Sequence, residues 1–173
     1  MRDGTLWLVG MMGAGKSSVG ALLAARLGRP LVDLDRAIER AAGRSIPELF
    51  ESEGERGFRK REREALEAVA GQRAVVALGG GAAAQPGAVE RLLATGALVY
   101  LRARAETLAA RVGAAEARPL LAGLDPAARL AKIRSLLAER ERFYLRAPCV
   151  VDTDGLDAAG AAAEVLQRLE AAP

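Results

Sequence analysis

Gly10, Gly13, Gly15, Lys16 and Ser17 fall at the spacing G-x-x-x-x-G-K-[ST], a set of residues suited to holding phosphate. The glycines tolerate positive φ and let backbone N–H groups close on an anion with no Cβ in the way. Lys16 carries a compact charge to terminal phosphates, and the Ser17 hydroxyl suits Mg²⁺. A glycine-rich turn with no ligand could show the same residues, so the flanks matter. The apolar run 6–9 before the loop reads as a buried strand. After it, Val19, Leu22, Leu23 and Leu27 recur at helical spacing and Gly28 closes the segment. A helix beginning at the loop adds its N-terminal dipole to an anion site.

Asp33 and Asp35 follow a second apolar run. Aspartate disfavours strands, so the pair invites two accounts. In one, Asp33 simply ends the strand while Asp35 caps a helix. Alternatively both serve phosphoryl transfer, which needs carboxylates for the metal shell and for the accepting hydroxyl. A spacing of two puts both side chains on one side of a strand. Arg59 shares an apolar helical stripe with Leu66 and Val69, and Glu62 lies one turn on. Its stem either snorkels over the core edge with Glu62 as counter-ion, or Glu62 aims the guanidinium at an anionic ligand such as a carboxylate. Gly79, Gly80 and Gly81 are more glycine than a bend needs and suggest close approach of a ligand to backbone. Arg140 interrupts another apolar stripe, formed by Leu130, Ile133, Leu137 and Tyr144, whereas Arg142 lies off it and reads as solvated. Residues 113–124, bounded by Gly113 and Gly123, are the least regular stretch and read as a lid. Arg118 at its centre could swing onto a transferring phosphate.

These residues need a frame. Strand-length apolar runs at 6–9, 31–32, 75–78, 98–101 and 150–151 alternate with helical patterns near 16–27, 35–42, 46–70, 86–95, 105–112, 126–145 and 157–171. Ser45 and Glu48 form a capping box opening a short helix around 46–52, and a second helix follows over 53–70. Such alternation predicts an α/β fold, a five-stranded parallel sheet between two helical layers. Ligands bind at the carboxyl ends of such strands, where every motif above falls.

Bulk composition narrows the chemistry. The length of 173 residues predicts a single domain over 1–173. No apolar run approaches the roughly 18 residues of a membrane span, and the start of the chain does not read as a cleavable leader. Histidine is absent, which excludes Ser-His-Asp hydrolysis, His-ligated zinc and imidazole bases. Cys149 is the single cysteine, so no disulfide framework exists, and it reads as a small buried residue opening a late strand. The balance of 25 basic to 22 acidic residues gives +3 without a basic stripe or interleaved aromatics, so neither nucleic acid nor membrane is expected as a partner.

Taken in order, these motifs resemble the shikimate kinase family, small P-loop kinases of the nucleoside-monophosphate-kinase-like fold. The resemblance runs from the loop at Gly10 through Asp33 and Asp35, then Phe58, Arg59 and Glu62, the glycine triplet and Arg118-Pro119-Leu120-Leu121, to Arg140 and Tyr144. It implies ATP and Mg²⁺ as cofactors, shikimate as the small-molecule partner, and a monomeric cytoplasmic enzyme. It further implies that Gly13, Ala14, Gly15, Lys16, Ser17 and Ser18 bind the ATP phosphates. Ser17 would ligate Mg²⁺, with Asp33 held to the metal through water. Arg59 and Arg140 would grip the shikimate carboxylate, with backbone contacts from Gly80 and Gly81. Asp35 would orient or deprotonate the 3-hydroxyl. Lys16 and Arg118 would neutralise charge in transfer, and Arg111 would cover the adenine. Helices over about 35–70 would hold the substrate. The family commonly has proline two residues after its last arginine, where this chain has Arg142. The segment Asp152-Thr153-Asp154-Gly155 resembles the family only loosely. On residues alone, a kinase acting on gluconate or a nucleoside monophosphate remains open, as does a nucleotide-dependent binding protein without turnover. Few aromatics are present to build a second base pocket.

Overall fold

The computed structural model describes residues 4–112 and 119–171. Five parallel strands stand in the order β2-β3-β1-β4-β5, with β1 at Thr5–Val9, β2 at Leu31–Asp33, β3 at Val75–Ala77, β4 at Gly96–Arg102 and β5 at Cys149–Asp152. The helices are α1 (Lys16–Leu27), α2 (Leu34–Ala42), α3 (Ile46–Val69), α4 (Ala88–Thr95), α5 (Ala105–Val112), α6 (Pro126–Tyr144) and α7 (Ala158–Ala171). The expected three-layer arrangement is therefore present.

Every residue of β1 is buried because helices cover both faces of the sheet. Alternation splits its side chains: Leu6 and Leu8 join a core with Leu23 of α1, Leu108 of α5, Ile133 of α6 and Val165 of α7. Trp7 and Val9 join a second core with Leu34 and Ile38 of α2, Phe58 and Leu66 of α3, Leu92 of α4 and Tyr144. The chain leaves β1 toward β2 but leaves β3 toward β4, so connections diverge between these neighbours and open a crevice at their carboxyl ends.

Two local features shape that crevice. The helix break expected near residue 52 falls at Gly54, whose φ of 67° and ψ of −179° suit only glycine, and it separates the two parts of α3. The capping box is formed, with the Ser45 N–H donating to Glu48 Oε2 at 2.7 Å. One expectation about the Asp33–Asp35 pair fails. Strand β2 ends at Asp33, and α2 begins at the next residue with Asp33, not Asp35, as its N-cap, accepting from the Arg36 N–H at 3.2 Å. The two aspartates thus share a cleft because a helix starts between them, not because a strand alternates. Among the described residues, no helix is long and apolar enough to cross a membrane.

Candidate active site

All three loop glycines adopt positive φ (146°, 80° and 87° at Gly10, Gly13 and Gly15), as a backbone cradle requires. Space is also short there: a Cβ on Gly10 would sit 2.6 Å from the Leu101 carbonyl oxygen. Lys16 opens α1, and its ammonium donates to the carbonyls of Gly10 at 2.8 Å and Met11 at 2.9 Å, which holds it over the loop. Ser17 Oγ donates to Asp33 Oδ2 at 2.9 Å, while Asp33 Oδ1 takes the Arg36 N–H. These two oxygens suit Mg²⁺, which takes few protein ligands and fills its shell from phosphates and water. Among the described residues no group of three or more His, Cys, Asp or Glu could hold a metal by itself. The donor set therefore fits a nucleotide-borne ion better than a protein-caged one.

The loop opens into a cavity of about 1060 Å³. Gly13, Ala14, Gly15, Lys16, Ser17 and Ser18 line one end, with Asp33 and Asp35 beside them. Arg59, Gly80, Gly81 and Arg140 line the cavity too, with Gly80 beside the loop at Gly10 and Met12, and Arg111 lines it with Thr153 and Leu156. The fold thus gathers every site residue expected from sequence except Arg118, which lies outside the described residues. Of the expected lid, 119–124 is described. Pro119–Leu121 forms a 3-10 turn in which Leu121 is buried and the exposed Leu120 lines the cavity.

Arg59 is held from two sides. Its Nη1 donates to Glu62 Oε2 at 2.8 Å, and its guanidinium stands 5.3 Å from the centre of the Phe58 ring. Exposed Glu55 adds a weak contact at 3.4 Å. Glu62 is only 2% exposed. Burial raises its pKa, Arg59 opposes that rise, and nearby Asp35 adds to it. Glu62 is thus a buried counter-ion to Arg59, as both accounts of that stripe require.

The glycine triplet explains itself through its neighbours. A Cβ on Gly79 would lie 2.5 Å from Asp35 Oδ1, and one on Gly81 would lie 2.8 and 2.9 Å from the Arg59 Nη atoms. One on Gly80 would meet Arg140 Nη1 at 3.5 Å, an ordinary contact. None of the three has positive φ. The absent side chains make room for Asp35 and Arg59 themselves, a reason that close approach of a ligand does not include.

At the other end Arg111 donates to Thr153 Oγ1 at 2.9 Å and to the Leu156 carbonyl at 3.2 Å, tying α5 to the turn after β5. Thr153, 2% exposed, also donates to the Arg102 carbonyl at 3.1 Å. It was not singled out from sequence, although a polar residue inside an Asp-rich turn after a strand is a usable signal. The apolar wall of Ile46, Pro47 and Phe50 was missed too, because in sequence it reads only as core-facing helix.

A family model for shikimate kinase matches residues 12–170. The chain belongs to the shikimate kinase family. It is 46% identical over 167 residues to the shikimate kinase of Symbiobacterium thermophilum, covering 94% of each chain. It is 41% identical over 169 residues to that of Moorella thermoacetica, covering 97% of this chain and 95% of the relative. The solved shikimate kinase from Acinetobacter baumannii, in complex with shikimate, superposes with a TM-score of 0.90 at 39% identity, covering 97% of this chain and 93% of that one. Where the shikimate kinase family commonly places proline, Arg142 continues α6 unbroken to Tyr144, its guanidinium 4.7 Å from the centre of the Phe143 ring.

Proposed function

We propose that this chain transfers the γ-phosphate of ATP to the 3-hydroxyl of shikimate, giving shikimate 3-phosphate and ADP, with Mg²⁺. The observation carrying this reading is the convergence of two cations, Arg59 and Arg140, on the glycine triplet, next to the phosphate loop, where a Cβ on Gly80 would lie 3.7 Å from the Gly10 carbonyl oxygen. A planar guanidinium fork held by a buried glutamate matches a carboxylate. The distance between that grip and the loop is then spanned by a small hydroxylated acid.

Residue roles follow from position. Gly13, Ala14, Gly15, Lys16, Ser17 and Ser18 bind the phosphates, with Lys16 neutralising charge on the transferring group. Ser17, and Asp33 through water, would hold Mg²⁺, which would supply charge neutralisation to the transferring phosphate. Asp35, beside Gly79, orients the attacking hydroxyl and accepts its proton as the new O–P bond forms and the bond to ADP breaks. Gly80 and Gly81 offer backbone contacts to the acceptor. Arg118 acts on the same phosphate from the lid, and Arg111 packs over the adenine. The reading is of a monomer, and consumption of ATP suits the cytoplasm.

The test is ADP release with ATP and Mg²⁺ in the presence of shikimate, gluconate, AMP or CMP. Turnover is expected with shikimate. Turnover with another acceptor and none with shikimate refutes the assignment.

A further inference from the structure

Tyr144 ends α6 and is 1% exposed. Its ring packs on Tyr100 with centroids 5.2 Å apart, and the Tyr100 hydroxyl donates to Glu141 Oε1 at 3.1 Å, so this helix end is fixed. The Tyr144 hydroxyl donates to the carbonyl of Gly80 and lies 3.9 Å from Met11 Sδ in the phosphate loop. One turn back on the same helix stands Arg140, whose charge acts on that hydroxyl. Burial pushes that hydroxyl up to about 12, with Arg140 pulling the other way, so it keeps its proton and remains a donor at neutral pH.

Both carbonyl and guanidinium belong to the acceptor end of the cavity. Gly80, Gly81 and Arg140 line it, whereas Tyr144 and Met11 do not. A planar trans peptide points its N–H opposite its C=O, and no peptide among the described residues is cis. Holding the Gly80 carbonyl on the core side therefore turns the Gly81 N–H toward the cavity. Among the described residues, that N–H has no backbone acceptor.

We propose that Tyr144 is a positioning residue for the acceptor, its hydroxyl setting the Gly80–Gly81 peptide against which, beside Arg140, the acceptor's carboxylate rests. This rests on the shikimate reading above.

Tyr144→Phe keeps the ring and deletes the hydroxyl. The expected result is a rise of about tenfold in the KM for shikimate, with kcat and the KM for ATP within about twofold of wild type. Tyr100→Phe, which cuts the bond to Glu141 at the same helix end and leaves Gly80 untouched, leaves the shikimate KM unchanged. In the double variant with Arg140→Lys, the two effects on shikimate KM combine less than additively. An unchanged shikimate KM in Tyr144→Phe overturns the proposal. So does a parallel rise of both KM values, or a Tyr144→Phe protein that does not fold, since the hydroxyl would then be purely structural. Absence of wild-type turnover on shikimate defeats the proposed function itself, so the two failures are distinct.

Discussion

Replacing Gly81 by alanine introduces one methyl group where 2.8 and 2.9 Å separate it from the two Nη atoms of Arg59 and 3.2 Å from Cζ. Ordinary contact between such atoms begins near 3.5 Å, so the guanidinium must retreat by about half an ångström or more. The Gly81 backbone itself is not strained, since its φ of −96° is open to alanine. The obstacle is the far end of a side chain, which can move, so the fold should survive with little loss of thermal midpoint. Arg59 cannot move without cost to its function, because Glu62 holds Nη1 at 2.8 Å. A charge-assisted pair knocked out of line loses about 1.5–3 kcal/mol, equivalent to a rise of roughly ten- to a hundredfold in the shikimate KM. The KM for ATP stays put, because the three atoms nearest the new methyl all belong to Arg59 and none to the phosphate loop. Steady-state ADP release with each substrate varied in turn, beside a thermal melt, measures all three quantities. A shikimate KM within about twofold of wild type, or equal losses for both substrates, would refute the reasoning. Gly80→Ala supplies the contrast: its methyl meets nothing closer than 3.5 Å, so Arg140 keeps its place.

Glu62 should make the acceptor grip pH-dependent. Its raised pKa brings protonation at higher pH than for an ordinary glutamate, so the shikimate KM climbs on the acid side, and Glu62→Gln shows a high, flat profile in its place. The stability sign is opposite. A carboxyl with raised folded pKa contributes stability below its unfolded pKa and loses it as pH rises through the folded one, so thermal melts of wild type gain on Glu62→Gln as pH falls. A relative loss would contradict the burial argument. Asp35→Asn lowers kcat by about a hundredfold or more. It leaves circular dichroism and melting intact, since Asp33 caps α2; a near-normal rate removes Asp35 from the chemistry. Arg111→Ala raises the KM for ATP by about tenfold through lost cover of the adenine and spares shikimate. Equal effects on both substrates would make Arg111 only a tie between α5 and Thr153.

The nucleotide end was legible because its constraint is local. Glycines at positive φ, a lysine and a serine within eight consecutive positions leave little freedom in how they can be used. Arg59 and Arg140 were legible for another reason: a cation interrupting an apolar helical stripe must answer to a partner. The aspartate pair was found but misexplained. Aspartate both ends strands and caps helices, and nothing in Val32-Asp33-Leu34-Asp35 marks which of the two does the capping. The room the triplet gives to Asp35 and Arg59 was not legible, because these neighbours are distant in sequence and meet it only after α2 and α3 have packed. The strand order and the role of Thr153 depend on contacts across the sheet, so no local pattern encodes them.

The central sheet also acts as a partition. The helices α1, α5 and α7 share a core with Leu6 and Leu8, whereas α2 and α3, which carry Asp35 and Arg59, share theirs with Trp7 and Val9; α6, which carries Arg140, enters both through Ile133 and Tyr144. Side chains on opposite faces of a strand do not touch, so substitutions in the two layers combine nearly independently. Heritable variation in α2 and α3 can therefore retune their part of the acceptor wall without repacking α1, whereas changes in α6 reach both cores. A lineage built on this plan has room to change what it phosphorylates while keeping its phosphate donor.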